Sequence, residues 1–427
     1  MEPKTKKGKA SWDISLSMTA NNTFNPIRNI VDGMKLTPNP DKDMIALSIG
    51  DPTVFGNLPN CVVAEDAIIE AVHSRKWNGY APSIGYEVSR EAVAKYVSTP
   101  NATVEAKDII LCNGCSGSLE MCITCLASPG QNILIPRPGF SIYKTLAESV
   151  GIETKPYDLL PSRKWEVDLA TLENLIDANT VAIVVTNPSN PCGSVYSRQH
   201  LTHILAIAST HKIPIIADEI YEHFVFPGLQ YHSLASLTDD VPILSCGGLT
   251  KRFLVPGWRL GWIVIYDKHG VFSRVRNGLV SLSQRILGPN SLVQSALPKI
   301  LENTPQDFFN DTLEYIQKNA AVFYESLSRV QGLFPVMPQG AMYMMVGYEK
   351  ERFPDIKDDV DFTEKLVKEQ SVFCLPSKCF QYANFFRIVL TVPSDKVVEA
   401  CERIKEFCSS HYVAMEMANG VHGDSCH

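Results

Sequence analysis

Three polar side chains of types that do covalent and acid–base chemistry each follow a short apolar run: Asp218 after 213–217, Asn190 after 181–186 and Lys251 after 243–245. A lysine amine can bond covalently to a carbonyl carbon, and a carboxylate favours the protonated form of a neighbouring base. The carboxyl ends of parallel strands meet at one edge of a sheet, where ligands bind. We therefore expect these three side chains to emerge at one edge of the sheet, where a ligand can bind.

Two arginines and a glycine-containing turn could bind anions. Arg387 stands alone in the apolar run 385–391, where a guanidinium without a partner is costly. A substrate carboxylate would supply the partner, and a structural ion pair is the alternative. Residues 114–116 (Gly-Cys-Ser) lie between a predicted strand and a predicted helix, whose backbone N–H groups suit a phosphate. Arg259 can add a fork of N–H donors.

The elements that must position these residues alternate along the chain. Predicted buried strands are 109–112, 132–136, 181–186, 213–217, 243–245 and 262–266, and predicted helices between them include 116–127 and 199–211. Continuous apolar strands alternating with helices favour an α/β fold with a mainly parallel sheet covered on both faces. The later pattern predicts α+β structure, with helices at 311–330, 361–370 and 394–411 and strands at 341–346 and 385–391.

These patterns divide the chain into five predicted segments. They are a flexible tail at 1–10, an N-terminal segment at 11–60 that packs with a small domain, a large domain at 61–315, the small domain at 316–412 and a disordered tail at 413–427. The chemistry-bearing residues fall mainly in the large domain, and Arg387 falls in the small one.

The bulk composition excludes several classes of protein. The 427 residues carry 39 Lys and Arg against 46 Asp and Glu, a formal charge of −7, which does not favour nucleic acid or a membrane surface as a partner. No apolar run reaches the roughly 20 residues of a membrane span.

The N-terminus lacks a signal-peptide or presequence pattern, so we expect a cytoplasmic chain with reduced cysteines. The Cys-x-x-Cys pairs at 112–115 and 122–125 are too closely spaced for zinc, so we predict no metal.

The segment from Gly248 to Gly261 resembles the lysine-attachment signature of the class I and II aminotransferases. In that signature a small, an apolar and a small residue precede the lysine, and an arginine, an apolar residue and a glycine follow eight to ten positions later; Gly248, Leu249, Thr250, Lys251, Arg259, Leu260 and Gly261 fit it. The resemblance implies a fold-type I transferase with a mainly parallel, seven-stranded sheet and pyridoxal 5′-phosphate as cofactor. It implies that Lys251 forms the Schiff base, that Asp218 lies beneath the pyridine nitrogen, and that Tyr221 and Asn190 bind the ring oxygen.

The resemblance also implies residues for the rest of the cofactor and for the substrate. Gly114, Cys115, Ser116 and Arg259 match phosphate-binding positions, and Phe140 matches the aromatic residue that stacks on the ring. Tyr80 matches a tyrosine that reaches the phosphate of the neighbouring subunit, which implies a homodimer with shared active sites. Arg387 matches the arginine that binds the substrate's α-carboxylate, and Gly50 resembles the loop whose backbone approaches the same group.

Longer blocks, including 24–28, 48–59, 78–85 and 282–289, resemble the tyrosine-specific members of this family. That resemblance implies transfer of the amino group of L-tyrosine to 2-oxoglutarate, a reaction that opens tyrosine breakdown. Arg28, within the first block, is a candidate for the second carboxylate of glutamate, and a surface or interface ion pair is its other interpretation. Alanine or kynurenine transamination, β-elimination of cysteine conjugates, and a non-catalytic binding protein remain alternatives.

Overall fold

The computed structural model of the chain describes residue 12 and residues 14–414. Its α-helices are α1 (Met18–Asn22), α2 (Pro26–Gly33), α3 (Val62–Ser74), α4 (Glu87–Val97), α5 (Gly114–Leu126), α6 (Ile142–Ser149), α7 (Leu169–Asn174), α8 (Arg198–His211), α9 (Ser273–Ser283), α10 (Ser291–Asn303), α11 (Gln306–Leu327), α12 (Asp359–Gln370) and α13 (Ser394–His411). Its β-strands are β1 (Ile45–Ala46), β2 (Ile109–Asn113), β3 (Asn132–Arg137), β4 (Glu153–Leu160), β5 (Glu166–Val167), β6 (Thr180–Thr186), β7 (Ile215–Asp218), β8 (Ile243–Gly248), β9 (Leu260–Tyr266), β10 (Leu333–Pro335), β11 (Tyr343–Tyr348), β12 (Val372–Phe373), β13 (Leu375–Pro376) and β14 (Phe385–Val389).

Eight strands form the large sheet, in the order β2-β9-β8-β7-β6-β3-β4-β5. The strands from β8 to β4 run parallel to one another, whereas β9 is antiparallel to both of its neighbours. The sequence implied seven strands, and the additional one is the two-residue β5, which pairs antiparallel with the end of β4. The predicted mainly parallel sheet is therefore confirmed, with a short eighth strand at its edge.

Both faces of this sheet are buried, as alternate residues of β2 demonstrate. Ile110 and Cys112 belong to the apolar cluster that includes residues of α5, whereas Ile109 and Leu111 pack with residues of α3, α4 and α10. A strand covered on both faces needs apolar side chains at successive positions, because no side chain points to water. This is why the strands of the large sheet are continuous apolar runs in the sequence.

A second sheet is antiparallel, with the order β10-β11-β14-β13. The helices α11, α12 and α13 contact this sheet or one another. The N-terminal segment contacts the same region, because β1 pairs with β12 and the backbone N–H of Val389 donates to the carbonyl of Leu47. The five predicted segments stay a prediction. The tail predicted at 1–10 lies outside the described residues, as does the tail predicted at 413–427 from residue 415 onward.

Residues 12 and 14–414 contain no helix that is both long enough and apolar enough to cross a membrane. Within the same range no cluster of three or more His, Cys, Asp or Glu side chains is arranged to hold a metal ion. The four cysteines of the two Cys-x-x-Cys pairs are free thiols. Cys112 lies on β2, and Cys115, Cys122 and Cys125 lie along α5.

Candidate active site

A cavity of about 580 Å³ opens where the parallel strands end. β6, β7 and β8 are neighbours in the sheet, so the residues that follow them lie side by side. Asn190, Asp218 and Lys251 line this cavity from the large sheet, and Arg387 of β14 lines it from the second sheet. Of the other predicted site residues, Arg28, Gly50, Cys115, Ser116, Phe140, Tyr221 and Arg259 also line it, whereas Gly114 and Tyr80 do not.

Asp218, the last residue of β7, is only 2% exposed. The hydroxyl of Tyr143 donates to its Oδ2 at 2.6 Å, the backbone N–H of Ile220 donates to Oδ1 at 3.3 Å, and the Cys115 thiol lies 3.7 Å from Oδ1. Burial raises the pKa of Asp218, while these hydrogen bonds and the charge of Lys251 act in the opposite direction. The result is a carboxyl group held in one orientation at the cavity floor, where it can pair with a cationic ring nitrogen.

Lys251 lies in the turn that follows β8, and its Nζ donates to the carbonyl of Gly50 at 2.6 Å. The same amine lies 5.9 Å from the centre of the Tyr221 ring. The Tyr221 hydroxyl is 2.7 Å from the hydroxyl of Tyr343. Burial and the neighbouring Tyr343 raise the pKa of Tyr221 well above its usual value. Tyr221 therefore stays protonated and can donate a hydrogen bond into the cavity.

Arg387 is a buried cation, 4% exposed, in the middle of β14. Its Nη1 donates to Oδ1 of Asn190 at 2.9 Å and its Nη2 donates to the carbonyl of Ser48 at 2.8 Å, while its Nε has no partner among the described residues. The guanidinium lies 4.3 Å from the centre of the Tyr343 ring, and burial lowers its pKa. No carboxylate of the described residues forms an ion pair with it, so a ligand carboxylate fits its unused donor capacity.

An anion-binding turn forms where β2 passes into α5. Gly114 has φ +70°, a conformation that favours glycine, and a Cβ atom there would lie 2.4 Å from Nη2 of Arg259. Gly114 therefore allows Arg259 to approach the first turn of α5, although it does not itself line the cavity. Ser116, which lies in that first turn, lines the cavity, and so does Arg259. The N–H groups of a helix start, a hydroxyl and a guanidinium together suit a phosphate dianion.

The remaining predicted residues lie at the rim or outside the cavity. Phe140 lines the cavity and packs edge-on against Tyr143, with ring centres 6.0 Å apart. Arg28, on α2, lines the opening and is exposed, and its guanidinium forms no ion pair with any described residue. Tyr80 is 91% exposed and lies away from the cavity of its own chain. Its predicted contact with a second subunit stays a prediction.

A family model described as aminotransferase class I and II matches residues 42–404. This chain belongs to that family. Among its relatives, "Tyrosine aminotransferase" of Mus musculus is 58% identical over 97% of this chain and 92% of its own length, and the protein of the same name from Dictyostelium discoideum is 51% identical over 94% and 97%. The crystal structure of tyrosine aminotransferase from Leishmania infantum superposes with a TM-score of 0.92 at 35% identity, over 95% of this chain and all of that one. The fold class implied by the sequence is thus confirmed.

Aminotransferases of this class depend on pyridoxal 5′-phosphate, and the residues present fit that group. A buried carboxyl faces the cavity at Asp218, an amine at Lys251, and an aromatic ring at Phe140. The absence of a side chain at Gly114 allows the guanidinium of Arg259 to lie beside the start of α5, where the two can bind a phosphate. Each chemical part of the cofactor therefore has a complementary group in one cavity.

Several side chains that organise the aminotransferase site were missed by the sequence analysis. Tyr143 donates to Asp218, Thr186 is hydrogen-bonded to Tyr143 at 2.7 Å, and Tyr343 contacts Tyr221. The available signal was proximity in sequence, because Tyr143 lies in the first turn of α6, three residues after the predicted site residue Phe140. Tyr343 gave no comparable signal, since it lies in an apolar strand that reads as core.

Proposed function

We propose that this aminotransferase transfers the amino group of L-tyrosine to 2-oxoglutarate, giving 4-hydroxyphenylpyruvate and L-glutamate. The observation that carries the proposal is that relatives named tyrosine aminotransferase match nearly the whole chain at 51–58% identity. The cavity supports it, because an amine, a carboxyl and an arginine with unused donor capacity converge there. A reaction that supplies free tyrosine would precede this step, and one that consumes an aromatic 2-oxo acid would follow it.

The proposal assigns a role to each side chain that surrounds the cofactor. Lys251 would bond to the cofactor, Asp218 would pair with the pyridine nitrogen, and Tyr221 and Asn190 would hydrogen-bond the ring oxygen. Phe140 covers the ring, while Gly114, Cys115, Ser116 and Arg259 form the phosphate site. When bound, pyridoxal phosphate supplies an aldehyde that condenses with amines and a ring that withdraws electrons from bonds to the substrate's α-carbon.

The chain's own residues orient the substrate and move its proton. Arg387 binds the α-carboxylate with two N–H groups, and this fixes the orientation of the α-carbon. The carbonyl of Gly50 holds Nζ of Lys251 at the cavity wall, so the freed amine is positioned to accept the α-proton and to return it at a second carbon. Asp218, buried and hydrogen-bonded by Tyr143, keeps a negative charge where a ring cation must be stabilised.

Dual specificity requires one cavity to accept a phenol and a second carboxylate. Ile27 and Val31 of α2 present apolar side chains to the cavity, and Arg28 lies between them in the sequence. We assign the phenol to apolar contacts on this side and the distal carboxylate of 2-oxoglutarate or glutamate to Arg28. Arg28 forms no ion pair within the part of the chain that the structure describes, and this supports the assignment, because an arginine held in an ion pair would have to break it first.

The proposal includes a homodimer in which Tyr80 completes the partner's phosphate site. Tyr80, Ile286 and Leu287 are large side chains exposed by 91%, 66% and 53%. Their segments touch each other, since the hydroxyl of Ser283 donates to that of Ser83 at 3.0 Å. An exposed patch of this kind is typical of an interface.

Mixing a Lys251→Ala chain with a Tyr80→Ala chain tests the shared site. A dimer of the two has one intact site, so activity should reappear only in the mixture.

The decisive experiment purifies the full chain with pyridoxal phosphate and compares amino donors at fixed 2-oxoglutarate. The donors are tyrosine, phenylalanine, alanine, kynurenine and a cysteine conjugate. We expect kcat/KM for tyrosine to exceed that for alanine by about tenfold or more, because an apolar pocket rewards the larger side chain. Pyruvate release from the conjugate would instead favour the elimination reaction. Alanine or kynurenine as the preferred donor would overturn the tyrosine assignment.

Attachment of the cofactor is tested separately. Borohydride should trap the cofactor on Lys251, and peptide mass spectrometry should locate it there. The Lys251→Ala protein should lose the visible absorption band, whereas Lys95→Ala should keep it, because Lys95 lies on the surface in an ion pair with Glu302. A colourless wild-type protein that resists trapping would refute the cofactor assignment.

A further inference from the structure

Tyr343 occupies the junction between the proposed lysine, carboxylate and ring-oxygen sites. It is 1% exposed and begins β11. Its hydroxyl is 2.7 Å from that of Tyr221, and the guanidinium of Arg387 lies 4.3 Å from its ring centre. A Cβ atom on Gly50 would lie 2.6 Å from the Tyr343 hydroxyl, so that oxygen sits directly over the residue whose carbonyl accepts from Lys251.

The charges around this hydroxyl distinguish it from an ordinary buried phenol. Burial alone would raise the pKa of Tyr343, but the nearby cations of Lys251 and Arg387 and the neighbouring Tyr221 hydroxyl lower it below its usual value. The Tyr221 phenol beside it shifts in the opposite direction. The Tyr343 oxygen can therefore accept a hydrogen bond from the amine of Lys251, and either hydroxyl of the Tyr221–Tyr343 pair can donate to the other.

We propose that Tyr343 is a further catalytic residue, which holds the freed amine of Lys251 in place for proton transfer. This inference rests on the proposed transamination. A neutral lysine amine has two N–H donors and one lone pair. When the Gly50 carbonyl accepts one N–H and the Tyr343 hydroxyl accepts the second, the lone pair is directed at the substrate and can accept the α-proton. The proton moves from the substrate's α-carbon to Nζ and from Nζ to a second carbon, so the amine ends the transfer unchanged and needs no other reactant.

Glycine at position 50 fits this arrangement. Any side chain there would overlap the Tyr343 hydroxyl, and both oxygens could then no longer converge on the amine. Tyr221 is assigned to the ring oxygen, whereas the Tyr343 hydroxyl lies beside Gly50, whose carbonyl accepts from Nζ. Lysine placement therefore depends on a tyrosine from the second sheet and a backbone carbonyl from the N-terminal segment.

The test compares Tyr343→Phe with Tyr348→Phe in the full-length protein loaded with pyridoxal phosphate. Tyr348 is a matched control: it lies on the same strand, is 1% exposed, lies outside the cavity, and its hydroxyl has no partner among the described residues. Tyr343→Phe keeps the ring under Arg387. We expect its kcat to fall roughly 10- to 100-fold because the amine is misplaced, and its KM for tyrosine to change less than about threefold. Tyr348→Phe should match the wild type.

Two further readouts separate a catalytic role from a structural one. With α-deuterated tyrosine, the isotope effect on kcat should rise in Tyr343→Phe, because proton transfer becomes slower than the other steps. Protein converted to the amine form of the cofactor leaves Lys251 free, and tyrosinate absorbance should then reveal one phenol ionising below the usual value of about 10. That transition should vanish in Tyr343→Phe and persist in Tyr348→Phe.

An unchanged kcat, or a lower kcat with an unchanged isotope effect, would overturn the proposal. So would the absence of a phenol that ionises early in the wild type. Gly50→Ala guards against a folding artefact, since it keeps the tyrosine and should reproduce the lower kcat and the higher isotope effect. A wild-type protein that fails to transaminate tyrosine would refute the proposed function, an outcome that cannot be confused with equal behaviour of wild type and Tyr343→Phe.

Discussion

Replacing Arg387 with lysine isolates the contribution of a two-pronged carboxylate contact. Lysine keeps the positive charge but presents a compact ammonium in place of the planar fork. The wild-type fork is already positioned, because Asn190 and Ser48 each accept one of its N–H groups while Nε stays unpaired. Lysine can keep only part of this network. We therefore expect the substrate's α-carboxylate to lose one charged hydrogen bond and its fixed orientation.

The magnitude follows from the burial of the site. Arg387 is 4% exposed and has no carboxylate partner among the described residues, so a bound carboxylate meets a nearly dehydrated cation. Disrupting a buried, hydrogen-bonded charge pair costs about 2 to 5 kcal/mol. Taking about 3 kcal/mol, and about 1.4 kcal/mol for each factor of ten, kcat/KM should fall roughly 100-fold. The fall should be similar for every substrate, because all of them carry an α-carboxylate.

The assay measures kcat/KM for tyrosine, glutamate and 2-oxoglutarate in separate half-reactions. Arg352→Lys is the control, since Arg352 pairs with Glu349 outside the cavity. Thermal unfolding of both variants confirms that each is folded. A 100-fold loss for tyrosine with 2-oxoglutarate unchanged would contradict the reasoning, because Arg387 could not then be the common carboxylate site. Equal losses in both arginine variants would show a general effect on folding.

Three other substitutions test separate parts of the site and the fold. Arg28→Ala should lower kcat/KM for 2-oxoglutarate and glutamate about fivefold and leave tyrosine unchanged, as half-reactions would show, because a rim charge contact contributes about 1 kcal/mol. Asp218→Asn should lower kcat roughly 100-fold or more while the protein still binds pyridoxal phosphate, measured by absorbance, because the ring nitrogen loses its stabilising charge. For His411, burial lowers the pKa, but Glu369 and Asp355 raise it overall. Its stabilising effect is thus complete below about pH 6.5 and lost as pH rises through the raised pKa. His411→Gln should lower Tm more at pH 6 than at pH 9.

Much of the fold was predictable because its strands are buried on two faces. A run such as 181–186 leaves few alternatives, and the observed β6 differs from it by one residue. The last helix was predicted at 394–411 and observed at Ser394–His411. β4 was missed, because Glu153–Leu160 mixes charged and apolar residues at the margin of the sheet. Short strands such as β5 depend on pairing with a neighbour and carry no pattern of their own.

Placement of the catalytic side chains was predictable where it follows from the ends of strands. Asp218 and Asn190 are fixed by β7 and β6, so topology alone brings them together. The contacts that complete the site join distant parts of the chain: Arg387 meets the carbonyl of Ser48, and Lys251 meets that of Gly50. Such contacts depend on how the two sheets pack, and no local periodicity encodes them.

The residues that contradict local folding rules are the ones that define this site. An arginine in an apolar strand and a carboxyl buried at 2% exposure each carry a desolvation cost that an apolar residue of similar size would avoid. Arg387 keeps an unpaired Nε, and burial raises the pKa of Asp218 despite three hydrogen-bond donors. A cationic ring nitrogen and a substrate carboxylate would compensate both groups at once. Ligand binding therefore offsets the desolvation cost of both Arg387 and Asp218. This explains why the fold retains two buried charges without which it could be more stable.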